Sequence, residues 1–374
     1  MRFRFCTALL GMASVPVVSA VAATAAPVAF VYVASNYSGA NNQIAGYAVA
    51  ANGQLTKISG SPFYANVSSM AVNGKYLLAT GNASISNNGK NVYSYLINAN
   101  GSLTYKGATN VQNKDSTYFA SYITLDHTGA SAYVYGSDGS NFGFESYSVD
   151  KSTGLLHYLN STLTTNNITV NGPPYTVLAN NQFVYGVFTN GYYINFATDR
   201  RETNGALVDI KAPGAYPAGM TMSGTLNLAS ADASNHLSII ANCGTTDQVA
   251  TYAADPETGD LSTGSSCTTM PSSAVGNTQS TAMAYSGKIL AVGGTKGLQL
   301  FNFSGTAEAT QRTGPLLAGV NISGVTWDSS NHLYAISHAS NKLYVLTVTS
   351  TGVTQAPGSP HTIASPVDMI VQPK

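Results

Sequence analysis

Apolar residues in this chain fall into short runs that recur at regular intervals. The first unit opens with Phe30-Val31-Tyr32-Val33, crosses a polar loop, resumes over 44–49, turns at Asn52-Gly53, continues as Gln54-Leu55-Thr56, and reaches a last apolar run at Met70-Ala71-Val72. Runs of this length, rich in Val, Ile and Tyr and bounded by Asn, Gly and Ser, predict strands joined by turns. The first type of run reappears at 75–80, 132–136, 183–188, 236–242, 288–293 and 332–337, a spacing of about 45 to 55 residues that suits propeller blades with loop insertions. The second type follows at 91–97, 144–149, 192–197, 249–253, 298–303 and 343–348, as an antiparallel neighbour of the first.

A glycine stands just before the third strand in five further hairpins, at Gly101, Gly154, Gly205, Gly259 and Gly352. Tight hairpin loops demand positive φ, which glycine supplies without a steric cost. The copy near Gly305 is degenerate, and Gly60-Ser61-Pro62 is echoed only at Gly358-Ser359-Pro360.

A fourth type of strand is expected at 68–72, 122–126, 174–179, 218–223, 281–286, 322–328 and 366–372. The repeats begin with a first-type strand and end with a fourth-type strand, so Val367-Asp368-Met369-Ile370-Val371 is placed to complete the blade begun at Phe30. The expected fold is all-β: a seven-bladed β-propeller of four-stranded antiparallel blades over 26–374, closed by the N- and C-terminal strands. A long sandwich or solenoid would show similar strands and turns, but matched copies with complementary ends suit a ring better than a stack.

Composition narrows the partners. Among 374 residues the 16 basic and 16 acidic side chains balance, and only 9% of the chain is charged, so no electrostatic footprint for nucleic acid or an anionic membrane exists. Polar character comes instead from Asn, Ser, Thr, Gly and 23 Tyr. Arg2 and Arg4, the apolar stretch 8–21 and the Ala-rich run 20–26 have the order of a secretory signal peptide, expected over 1–25, which makes the mature chain secreted or periplasmic. An uncleaved membrane anchor is the competing reading of that segment.

Cys6 would leave with the signal, which leaves Cys243 and Cys267 as a candidate disulfide in an oxidising compartment. Two free thiols are the alternative, because a strand lies between theirs: a gap of roughly 10 Å, against the about 5.5 to 6 Å between Cα atoms that a bridge requires.

No phosphate-binding loop, serine-hydrolase elbow or zinc-ligand spacing is present, and no metal or cofactor is implied. Propeller sites gather one or two residues per blade from the loops at one face. The candidate channel-face residues are Tyr37, Lys90, Tyr118, Asp138, Tyr175, Asp247, Lys296, His338 and His361. The charge cluster Asp199-Arg200-Arg201-Glu202 falls instead in a hairpin on the opposite face, where it reads as a solvated turn. His127, His236 and His332 fall in turns between strands.

Val31-Tyr32-Val33-Ala34-Ser35-Asn36, followed by the second strand, Gly53-Gln54-Leu55-Thr56 and Gly60-Ser61-Pro62-Phe63, resembles the seven-bladed lactonase-like propellers, which include the 6-phosphogluconolactonase-like and YVTN-repeat proteins. The resemblance spans essentially the whole mature chain and implies that fold. Catalytic lactonases of this kind carry Pro-Arg-His at an inner strand, and no inner strand here has an Arg-His pair, so no catalytic residue carries over. Two functions are expected. The first is a binding module, expected to be a monomer, for a small polar ligand or an extracellular protein or polysaccharide. The alternative is a lactone hydrolase drawing acid and base groups from His338, His361, Asp138 or Asp247.

Overall fold

The computed structural model describes residues 25–35, 42–81, 91–112, 119–137, 142–164, 175–178, 180–190, 193–210, 229–242, 246–305 and 307–374. These form seven antiparallel sheets and no helix. The second blade shows the plan: Val67–Val72, Tyr76–Gly81, Asn91–Ile97 and Leu103–Asn110 pair in chain order, so that the fourth-type strand of the repeat comes first and lies innermost. Blades three to seven repeat that order, with inner strands Phe119–Leu125, Tyr175–Val177, Ala229–Ala231, Thr278–Met283 and Gly324–Trp327. Each inner strand contacts those of the blades on either side, and together they wall a central channel.

Blade one is assembled from both ends of the chain. Pro366–Pro373 is its inner strand and pairs antiparallel with Ala29–Ser35, from Ala29 opposite Pro373 to Ala34 opposite Asp368. Gln43–Val49 and Leu55–Lys57 complete the sheet. The ring is therefore closed by hydrogen bonds, and neither terminal strand is left as an open edge.

One inner strand differs from expectation. In blade five the strand is Ala229–Ala231, directly before His236–Asn242, and the expected stretch 218–223 lies outside the described residues. The reason is local: a tight turn through Asp232 and Asn235, with Asn235 at φ 63°, joins these two strands. The same turn recurs in blade seven, where Asn331 also has φ 63°. Asn tolerates this left-handed conformation better than other residues with a Cβ.

Packing between blades gives the hairpin glycines a second role beyond their turn geometry. Gly101 of blade two has φ 83°, and a Cβ there would stand 2.6 Å from the ring of Phe30 in blade one. Its carbonyl accepts the Tyr32 hydroxyl at 2.7 Å. Gly154 meets Tyr76, Gly259 meets Phe183 and Gly305 meets His236 in the same way, so the degenerate copy at Gly305 keeps the packing. Buried aromatic and aliphatic side chains fill the seams behind these contacts; between blades one and two they include Phe30, Tyr32, Ile44, Met70, Leu77 and Tyr95.

Candidate functional site

The inner strands enclose a cavity of about 580 Å³ along the channel. Among the described residues, six of the seven blades contribute side chains to it: Ser68 and Ser69, Ser121 and Tyr122, Ala229, Gln279 and Ser280, Ser323, and Asp368 among others. Among the described residues its lining holds hydroxyls, an amide, aliphatic and aromatic groups and the carboxylate of Asp368, with no Arg, Lys or His. The described part of this wall offers many hydrogen-bond donors and acceptors and a single charge.

Several of the wall's oxygens hold the ring together. Ser69 Oγ accepts the backbone N–H of Ile123 in the next blade at 3.4 Å, and Ser280 Oγ accepts that of Val325 at 3.2 Å. Asp368 Oδ2 accepts the N–H of Met70 at 2.7 Å. A carboxylate in blade one thus does what a serine hydroxyl does in blades two and six. Burial against the inner strands pushes the Asp368 carboxyl up to about 6, although the N–H groups of Met369 and Met70 favour its charged form. Removing a carboxylate from water disfavours its ionised state more than two backbone donors restore it.

Asp368 was not among the residues singled out from the sequence. Its signal was present, because it is the one carboxylate among the described inner-strand residues that line the cavity. Sequence reasoning looks to loops for ligand contacts, whereas in this fold the inner strands themselves form the wall.

Of the nine sequence candidates, Tyr37, Lys90, Tyr118 and Asp138 lie outside the described residues, and Tyr175 is described only by its backbone, at the start of the inner strand of blade four. The other four do not line the cavity. Asp247 is buried and committed to structure: its Oδ2 accepts the N–H of Thr278 at 2.7 Å, tying blade five to the inner strand of blade six. Lys296 is exposed in the turn between Ile289–Gly294 and Gly297–Ser304. His338 is nearest the channel, with its N–H donated to Ser323 Oγ at 3.2 Å and its Nδ1 3.2 Å from the Pro366 carbonyl oxygen. His361 stacks obliquely on Tyr47 at 6.1 Å, in the seam between blades seven and one, and desolvation there lowers its pKa.

Histidines of the opposite face are structural. His332 Nδ1 lies 2.7 Å from Asp328 and His236 Nδ1 lies 2.8 Å from Asp232, each within its own turn. In the charge cluster only part is solvated as expected. Arg200 pairs with Glu202 at the surface, whereas Arg201 turns inward to Asp126 of blade three at 2.7 Å. Cys267 is disulfide-bonded, and Cys243 lies outside the described residues.

No protein-family model matches the chain, and no curated protein matches it in sequence. Solved structures match it in fold. A provisionally assigned 6-phosphogluconolactonase from Bacteroides uniformis superposes with a TM-score of 0.66 at 14% identity, over 92% of this chain and 99% of that one. One from Bacteroides fragilis gives 0.65 at 12% identity, over 92% and 97%. The periplasmic gluconolactonase of Pseudomonas aeruginosa gives 0.50 at 15% identity, over 90% and 82%. Identities this low speak to architecture alone, and in architecture the chain is a seven-bladed, lactonase-like β-propeller.

Proposed function

We propose that this propeller is an exported binding module whose central channel takes a small, hydroxyl-rich ligand without a negative charge. The observation that carries this reading is the channel wall: serine hydroxyls, Gln279 and Tyr122 converge on it, and its one charge among the described residues is the carboxylate of Asp368. Polyols and neutral sugars suit such a wall of donors and acceptors, while an anionic sugar or phosphate would meet Asp368 with no cation among the described lining residues to offset it. The signal-like order of residues 1–25 supports a secreted or periplasmic location for a monomeric chain.

A second reading, lactone hydrolysis, is favoured by the raised pKa of Asp368. A carboxylate that titrates at about 6 beside a walled cavity has the properties of a general base for water. Likeness in fold to gluconolactonases adds no residue to it.

Titration calorimetry with neutral monosaccharides and their uncharged lactones, beside a hydrolysis assay, separates the two. The binding reading expects saturable heat from a sugar or lactone, weakened by Asp368→Ser, with hydrolysis at the buffer rate. Serine occupies the equivalent seat in two other blades, so this variant keeps the inter-blade bond. Turnover above the buffer rate that is lost in Asp368→Ser establishes the hydrolase instead, and the absence of any saturable binding removes the first reading.

A further inference from the structure

The seam between blades six and seven departs from the packing of the others. In blades one, two and four the hairpin closes four residues on, by Ala50 N–H to Gln54 O, Asn98 N–H to Ser102 O and Glu202 N–H to Ala206 O. In blade seven Thr349 N–H already reaches Gly352 O, three residues on. The shorter loop has lost the residue that would press on the neighbouring blade. Gly352 is not in a left-handed conformation, and a Cβ placed on it would touch nothing within 4 Å.

The space left behind is a cleft of about 450 Å³, on the face opposite His338. Its floor is apolar, formed by Ile289, Phe303 and Val348, and its sides carry Lys288 and Arg312 with the hydroxyl-bearing Ser286, Thr349 and Ser350. No carboxylate lines it among the described residues. The Arg312 guanidinium donates to the side-chain oxygen of Asn302 at 3.0 Å and to the carbonyl oxygen of Thr349 at 2.8 Å, both neutral acceptors. Neither Arg312 nor Lys288 forms an ion pair among the described residues, in a chain where other arginines do.

From this cleft, its two cations and its lack of any acid, we infer a second binding site, specific for an oxyanion group such as a carboxylate, sulfate or phosphate. Arg312 is held across the seam by its two neutral contacts, so its remaining N–H groups are fixed in direction before a ligand arrives, which limits the ordering cost of binding. Lys288 supplies a second, mobile charge. The cleft is much larger than an inorganic anion, and its apolar floor suits the body of an acidic sugar or another small organic acid. The channel reading is independent of this site, because the two lie on different walls and differ in charge.

Calorimetric titration of the full chain with sodium sulfate, sodium phosphate and sodium glucuronate, at matched ionic strength in chloride, tests it. Saturable binding is expected for at least one of them, weakening as chloride is raised. Lys288→Gln and Ser350→Asp, both at exposed positions, should each weaken it about tenfold or more, with circular dichroism and melting unchanged. Tighter binding of glucuronate than of the inorganic ions assigns the site to an organic acid, and the reverse order assigns it to the bare anion. Absence of saturable binding to all three, or equal binding by wild type and both variants, overturns the inference. Arg312→Gln serves as a further variant, read only for binding, since it also removes a bond across the seam.

Discussion

The carboxylate of Asp368 accepts the backbone N–H of Met70 at 2.7 Å and so joins the last strand of the chain to the inner wall of the second blade. The joint carries a cost that depends on pH. The folded-state pKa of Asp368 is raised from 3.8 to about 6, so its contribution is favourable below the unfolded value and is lost as pH rises through about 6. One pKa unit corresponds to about 1.4 kcal/mol, which caps the loss at about 3 kcal/mol, and partial contact with channel water reduces it. Asp368→Asn keeps an oxygen for Met70 and cannot ionise. It should melt above wild type at pH 7 to 8, by about 1 to 3 kcal/mol in stability, with the difference vanishing near pH 4. Equal stability at both pH values would show that Asp368 titrates normally.

The hydrophobic pattern carried the architecture well because each strand type recurs seven times and errors in one copy are corrected by the others. Strands such as His236–Asn242 and His332–Ser337 stand where the apolar runs placed them. The echo of Gly60-Ser61-Pro62 at Gly358-Ser359-Pro360 also has structural content: Ser61 Oγ accepts Gly46 N–H and Ser359 Oγ accepts Val345 N–H, and a short fifth strand follows each. The site was less legible. Channel walls draw one or two residues from each inner strand, and serines that bind ligands read in sequence like serines that bond the next blade. Asp247 and His361 looked available as loop residues, yet inter-blade packing has claimed both.

A buried polar turn in blade seven offers a second test. Asp328 burial alone would raise its pKa, but donors from His332 and Tyr334 outweigh that and lower it. Its two oxygens accept Ser330 N–H at 2.8 Å, His332 N–H at 2.9 Å and the Tyr334 hydroxyl at 2.8 Å, with His332 Nδ1 at 2.7 Å. Asp328→Ala would strand several buried donors and should cost about 3 to 5 kcal/mol. Because the folded pKa is depressed, the stabilisation is present above the unfolded value near 3.8 and disappears as pH falls through the folded one. Chemical denaturation should therefore show the wild-type advantage over Asp328→Ala shrinking below pH 4. A constant gap down to pH 2 would contradict the proposed role of the charge.

Two hairpin glycines, Gly101 in blade two and Gly352 in the shortened loop of blade seven, should respond in opposite ways. Gly101→Ala forces a Cβ into a conformation with φ 83° and within 2.6 Å of Phe30, and should destabilise the ring by about 2 kcal/mol or more. Gly352→Ala meets open space and ordinary backbone angles, and should be neutral or stabilise by about 0.4 to 1 kcal/mol through the unfolded state. Urea denaturation of both variants checks the contrast. Equal losses would mean that packing on the neighbouring blade contributes nothing.

Ring closure makes the strongest claim on stability. Pro366–Pro373 supplies the inner strand of blade one, with Met369 and Val371 buried against Val31, Val33 and the Tyr334 side of blade seven. Deleting residues 366–374 would leave Ala29–Ser35 as an unpaired edge, remove the Met70 acceptor, and expose apolar faces of blades one, two and seven. These losses are shared by both neighbouring blades, so the destabilisation should reach several kcal/mol, well beyond the about 1 kcal/mol of an average point substitution. Thermal unfolding and size-exclusion chromatography of the truncated chain should show a large fall in melting temperature and self-association through the open edge. A truncated chain that melts within a few degrees of the intact protein and stays monomeric would mean that the seven blades hold their ring without the closing strand.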